Sequence, residues 1–198
     1  TKPIKLISGK SPFCETYFDN VKVPKEHAPG VSAIVGTINR GWDVAKYLLT
    51  HEREMIGAGG GGLLGGRGIG EMAAHYVGVD EKGRLADPLL RGKVAQAEVD
   101  GWAFLLTMER LKDEAKAGQG MGAKSSMLKY YGTEFNKRRF ELFMDAAGSE
   151  GLEWEGARSE DGKLAKNWLR TKANSIEGGT SEVQLNIIAK RVLELPDA

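Results

Sequence analysis

The stretch Asp87-Pro88-Leu89-Leu90-Arg91-Gly92-Lys93-Val94-Ala95-Gln96-Ala97, continued through Trp102, Leu105, Met108 and Leu111, decides the fold. Its apolar residues return at helical spacing. Pro88 suits a first turn, where its missing N–H costs nothing, and Asp87 can cap it. Gly118-Gln119-Gly120 ends the helix. A further helix is expected from about Ala123 to Ala147, with Gly148 as its stop. Trp154 to Gly162 reads as a polar loop. A shorter helical stretch covers Leu164 to Asn174, and a last one begins after Thr180-Ser181 and ends before Pro196. On the other side, Trp42, Ala45, Leu48, Leu49, Met55 and Ile56 carry the helical period back to about Asn39. Long helices with short connections predict a mainly α fold, an up-and-down four-helix bundle.

Residues 1–30 follow a different pattern. Ile4-Lys5-Leu6-Ile7, Glu15-Thr16-Tyr17-Phe18 and Val21-Lys22-Val23 are strand-like, separated by Ser8-Gly9-Lys10-Ser11-Pro12 and Asp19-Asn20 and stopped by Pro24. Two or three short strands cannot bury a sheet face alone. They must pack on the helices or on something outside this chain. The opening Thr1-Lys2-Pro3, without an initiator Met, suggests a fragment.

The balance of 41% hydrophobic and 28% charged residues in 198 provides for a core, and it argues against disorder. Net charge is +1, and the strongest basic cluster, Lys137-Arg138-Arg139, reads as a solvated helix face, so no nucleic acid partner is expected. No apolar stretch approaches the roughly 20 residues needed to span a bilayer. A single cysteine, Cys14, and scattered His27, His51 and His75 predict neither disulfides nor a metal site. The expectation is a cytoplasmic protein.

The segment Asn174-Ser175-Ile176-Glu177-Gly178-Gly179-Thr180-Ser181-Glu182-Val183-Gln184 resembles the C-terminal signature of acyl-CoA dehydrogenases, an Ile-Tyr-Glu-Gly-Thr-Ser-Glu-Ile-Gln stretch leading into the final helix. Tyr17-Phe18-Asp19-Asn20-Val21-Lys22-Val23-Pro24 resembles the last β-domain strands of that family. Arg170 stands where the family has an Arg, eight residues before the signature Glu position. The resemblance implies that residues 1–30 end a β domain and residues 31–198 form the C-terminal helical bundle. It further implies FAD as cofactor, an acyl-CoA substrate, a homo- or hetero-tetramer, and an electron-transfer flavoprotein as acceptor. The flavin of the family lies between the two domains and reaches a neighbouring subunit, so the fragment alone is expected to be inactive.

That chemistry needs a carboxylate to remove the α-proton while the β-hydrogen leaves as hydride. Aligning Gly179-Thr180-Ser181 with the signature puts Gly178 at the usual base position and Glu177 at the Tyr position. A minority branch, including isovaleryl-type dehydrogenases, supplies its base from the first bundle helix, as a Glu immediately before an Arg. Leu49-Thr50-His51-Glu52-Arg53 offers Glu52 for that role, with Arg53 balancing its charge. Glu177, one residue off, is the rival base, and a solvated Glu-Arg pair is the plain reading of Glu52 and Arg53. The resemblance also gives Gly178 a role, since the backbone N–H there polarises the thioester carbonyl as an oxyanion hole does. Gly178-Gly179 could equally serve only as a turn. Thr180-Ser181 would cap the final helix, whose amides could face the flavin together with Gly179 and Glu182.

Other flavin contacts are less well matched. Gly148-Ser149-Glu150-Gly151 stands where the family has a Gly-Gly-x-Gly turn touching a partner's flavin, so Gly148 and Gly151 are candidates, and Asp145 occupies a frequent Gln position. The family's Arg-x-x-Phe-Gly contact is not recognisable between Val77 and Leu90, where Arg84 or Arg91 could replace it. Gly57-Ala58-Gly59-Gly60-Gly61-Gly62 formally matches G-x-G-x-x-G, but helical sequence precedes it, which excludes a dinucleotide fingerprint. The Trp102, Phe104 and Met108 cluster is expected in the core. Three rival readings stay open: a non-catalytic subunit completing a partner's flavin site, an oxidase or flavin monooxygenase relative, and a plain helical interaction module.

Overall fold

The computed structural model describes residues 1–58, 68–120, 122–157 and 159–196, leaving aside the side chains of residue 50 and residues 53–58. Among these residues, six α-helices follow four short strands: α1 Gly41–Ala58, α2 Ile69–Val77, α3 Pro88–Lys116, α4 Lys124–Ala147, α5 Lys163–Thr171 and α6 Ser181–Ile187. The fold is mainly α, as expected, and the helices converge on α4, against which α1, α2, α3, α5 and α6 all pack.

α3 begins as its sequence demands. The Asp87 carboxylate accepts the N–H groups of Leu89 and Leu90 at 2.8 and 3.0 Å, and Pro88 fills the first turn. Its buried residues are Leu90, Val94, Ala97, Gly101, Phe104, Met108 and Leu111, an alternation of four and three that keeps one seam on α4. Trp102 departs from expectation, because it is 63% exposed. The seam position belongs to Gly101, where an added Cβ would stand 3.1 Å from Phe135 Cζ on α4. A bulky residue there would displace the Phe135 ring, so the glycine holds the seam and Trp102 falls on the adjoining face with Val99 and Leu106, also exposed.

α4 supplies the other half of the seam through Leu128, Gly132, Phe135, Phe143, Ala146 and Ala147. Phe135 is 1% exposed and belongs to a core with Ile69, Ala73, Val94 and Leu164. The sequence reading missed α2. Its signal was legible, since Ile69, Met72, Ala73 and Tyr76 have the i, i+3, i+4, i+7 spacing. The glycines before it masked the start. The basic cluster also divides. Arg138 is exposed, whereas Arg139 is 6% exposed and lies close to Glu98, so a solvated face describes only part of Lys137-Arg138-Arg139.

Gly162 precedes α5 in the left-handed region, with φ +70°, where an added Cβ would lie 2.4 Å from the Trp154 carbonyl oxygen. Gly162→Ala is expected to cost about 2 kcal/mol or more, from the positive φ and the backbone clash together. Urea unfolding would show it, and a loss under about 0.5 kcal/mol would contradict it. Past Thr171 the chain tightens into a 3₁₀ turn, Lys172–Ser175, and beyond α6 it widens into a π turn, Ile188–Val192.

Strands β1 (Lys2–Ile4) and β2 (Phe13–Glu15) form one antiparallel hairpin, and β3 (Glu26–Ala28) and β4 (Val31–Ser32) a second. Val21-Lys22-Val23 is not a strand. It is confined between the Asn20 turn, φ +51°, and Pro24, with no strand among the described residues to pair with, and pairing resumes only beyond Pro24. Every strand residue is exposed, so the hairpins bury no sheet face on the helices. Among the described residues, no helix is long and apolar enough to cross a membrane.

Candidate functional site

The loop joining α5 to α6 has a backbone set by two consecutive glycines. Gly178 and Gly179 both have positive φ, +63° and +94°. The Gly178 carbonyl accepts Gln184 Nε2 at 2.9 Å, and Gln184 is buried. A Cβ on Gly179 would stand 2.6 Å from that same nitrogen, so the second glycine admits Gln184 beneath the loop. Among the described residues the Gly178 N–H has no acceptor. Thr180 caps α6 by accepting the Val183 N–H at 3.3 Å. Ser181 does not share that task. Its hydroxyl donates to Glu134 on α4 at 3.0 Å. The Glu182 carboxyl sits below the usual range because its own backbone N–H and then the Thr180 hydroxyl bond the anion.

Glu177 is committed within the loop. One oxygen lies 2.5 Å from Arg170, and the other accepts Asn174 Nδ2 at 3.1 Å. Asn174 is itself held to α4, its carbonyl by Lys129 Nζ and its side chain by Asn136, each at 3.0 Å. Lys129 is 1% exposed, and that burial pulls its pKa down despite the nearby charges of Glu134 and Glu177.

Glu134 gathers the remaining contacts. It accepts Lys137 Nζ at 2.8 Å and the hydroxyls of Ser175 and Ser181, each at 3.0 Å. Burial raises its pKa, but the Lys137 ammonium and the two hydroxyls outweigh that effect and leave it below the usual glutamate range. A depressed carboxylate pKa means that its contribution to stability is complete above the ordinary glutamate range. That contribution is lost as pH falls through this range toward the folded value. Thermal unfolding of the native chain and Glu134→Gln between pH 7 and 3 should therefore converge in acid. A gap that stays constant would refute the assignment. The sequence reading missed Glu134, Lys129 and Asn136. The available signal was polar residues on a helix face otherwise expected to be core.

Glu52 lies half-buried on α1, one residue beyond His51, whose ring meets that of Tyr47 edge-on at 4.5 Å. Arg53 has its side chain outside the described residues, as does nearly all of the glycine run 57–62; α1 does extend to Ala58, the helical context expected before that run. α1 and the loop after α5 both rest on α4, which makes α4 the common platform of the two candidate base segments.

The other candidates lie elsewhere. Gly148 caps α4 with φ +54°, its N–H returning to the Met144 carbonyl, and Gly151 is buried where a Cβ would meet Ala147 Cβ at 3.0 Å. Asp145 pairs on the surface with Lys93 at 2.9 Å. Arg84 closes its own turn, its guanidinium 2.8 Å from Asp80, whose carboxyl is held low first by the Arg84 backbone N–H and then by that guanidinium. Arg91 donates to the Leu85 carbonyl at 3.0 Å.

The structure is thus a bundle centred on one helix, α4, carrying a glycine loop whose Gly178 N–H has no acceptor among the described residues. The acyl-CoA dehydrogenase C-terminal domain matches residues 39–193, and the chain belongs to the acyl-CoA dehydrogenase family. It is 30% identical to acyl-CoA dehydrogenase FadE34 of Mycobacterium tuberculosis over 98% of this chain and 24% of that protein. It is 28% identical to acyl-CoA dehydrogenase IpdE1 of the same organism over 98% of this chain and 47% of that protein. Among solved structures, the Tcur3481-Tcur3483 steroid ACAD superposes with a TM-score of 0.80 at 25% identity, covering all of this chain and 49% of that one. The ChsE4-ChsE5 complex from Mycobacterium tuberculosis gives 0.72 at 25% identity, again covering all of this chain and 49% of that one. The chain thus spans half or less of the length of these relatives.

Proposed function

We propose that this chain is the C-terminal portion of an FAD-dependent enzyme that desaturates an acyl-CoA between Cα and Cβ, with residues 1–30 ending the preceding β domain. The observation carrying this reading is the Gly178 N–H, left without an acceptor among the described residues while the carbonyl of the same residue is tied to Gln184. That donor polarises the thioester carbonyl and acidifies the α-carbon. Glu52 takes the α-proton, and Arg53 balances its charge. Glu177, the rival, would first have to leave Arg170 and Asn174. FAD, when bound, accepts the β-hydrogen as hydride.

The groups present suit that cofactor at the loop, where Gly179 is exposed and carries no side chain and the Thr180 turn opens α6, with Glu182 beside them. Gly148 and Gly151 form the second contact region. An adenosine contact through Arg84 would be made alongside its pair with Asp80. The assembly is a tetramer, homomeric or heteromeric, in the cytoplasm, with an electron-transfer flavoprotein as acceptor.

A second reading has its own support. Glycine at the usual base position, together with likeness to a solved two-component complex, fits a subunit that completes a partner's flavin site without catalysing. Anaerobic mixing of the full-length protein with a panel of acyl-CoAs separates the two. The panel should include steroid acyl-CoA thioesters, given the likeness to a solved steroid ACAD. Bleaching of bound flavin supports the dehydrogenase; absence of bound flavin in the protein alone supports the helper subunit.

A further inference from the structure

Between Ser175 and Ser181 the chain passes through five residues, of which Ile176 is exposed and Gly178 and Gly179 carry no side chain to pack. Glycines at positive φ have unusual backbone freedom. Gln184 and Arg170 hold the middle of the loop, through the Gly178 carbonyl and Glu177, and the direction of the Gly178 N–H depends further on what holds the loop's ends. Both ends meet at one atom. Glu134 Oε1 accepts Ser175 Oγ and Ser181 Oγ, each at 3.0 Å. Lys137 Nζ closes the arrangement, lying 2.8 Å from Glu134 Oε2 and donating to Ser175 Oγ at 2.5 Å. Lys129 and Asn136 pin the preceding residue, Asn174, to the same helix. The loop is thus closed by a clamp on α4, outside the residues that would touch substrate.

We infer that Glu134 is a positioning residue whose carboxylate, by joining Ser175 to Ser181, aims the Gly178 N–H at the thioester carbonyl of a bound acyl-CoA. This rests on the reading of Gly178 as the carbonyl donor. Glu134 touches no reacting atom, and it acts through the loop. A donor misplaced by about 1 Å forfeits much of its effect, of the order of a hundredfold in rate.

The test uses cinnamoyl-CoA, a conjugated thioester whose absorption moves to longer wavelength when its carbonyl is polarised. Spectra are recorded on the full-length flavin-loaded protein, native and as Glu134→Ala and Glu134→Gln. The native protein should show the red shift. Glu134→Ala should lose most of it while Kd changes by less than about threefold, because few ground-state contacts are removed. Glu134→Gln should recover most of the shift, since an amide oxygen still accepts both hydroxyls. A full shift in Glu134→Ala overturns the proposal. So does a fall in affinity and flavin content with an unchanged shift in the fraction still bound, which would mark Glu134 as merely structural. If Glu134→Ala does not fold, the Ser175→Ala, Ser181→Ala double variant cuts the clamp while keeping the Glu134–Lys137 pair, and a retained shift there has the same overturning force. No shift in the native protein would instead sink the reading of Gly178 itself, and the clamp proposal with it.

Discussion

Glu52→Gln is expected to slow anaerobic bleaching of the flavin by an acyl-CoA by about a hundredfold to ten-thousandfold, the range for removing a positioned general base. The amide matches the carboxylate in size and keeps an acceptor oxygen, so α1 should stay folded and flavin content should be unchanged. What is lost is the ability to receive a proton. Glu52 suits the task as a half-buried carboxylate on a helix that packs on α4. A bound acyl group covering it would exclude water from the carboxylate. Stopped-flow absorbance on native and variant protein measures the effect. Equal bleaching in both would remove Glu52 from the role and turn attention to Glu177→Gln.

Phe135→Ala is expected to destabilise the chain by about 3–5 kcal/mol, the usual cost of emptying a buried aromatic site. The ring is 1% exposed and stands opposite Gly101, a position without a Cβ to collapse into the space. It also lies 5.8 Å beneath the Arg138 guanidinium and in reach of Tyr131 at 6.4 Å between ring centroids, contacts that an alanine cannot make. Phe135→Leu should cost far less, because most of the volume is retained. Urea unfolding would decide, and a loss under about 1 kcal/mol for the alanine variant would show that neighbouring helices close the gap.

Most long helices were readable. Asp87-Pro88, the heptad-like seam of α3 and the Gly148 stop of α4 are local signals, resolved by capping geometry and periodicity without knowledge of neighbours. The same holds for the signature loop, whose glycines declare a turn before Thr180 caps α6. Readings that needed a partner surface fared differently. Trp102 falls outside because Gly101 must face Phe135, a steric fact between two helices. Val21-Lys22-Val23 alternates like a strand but finds no neighbour to pair with among the described residues. Arg139 leaves the solvated face of its cluster because α4 is covered on several sides.

By itself, the sequence determined the helical class, the positions of α3 and α4, and the family to which the signature loop points, since caps, periods and glycines act within a few residues of themselves. The tertiary structure alone decided that α4 is the hub, that Glu177 answers to Arg170, and that Ser175 and Ser181 meet on Glu134. The two serine contacts span 41 and 47 positions of the chain. A half-buried carboxylate and its distant hydroxyl partners leave no spacing rule in a single sequence, because their pairing is set by how the helices pack.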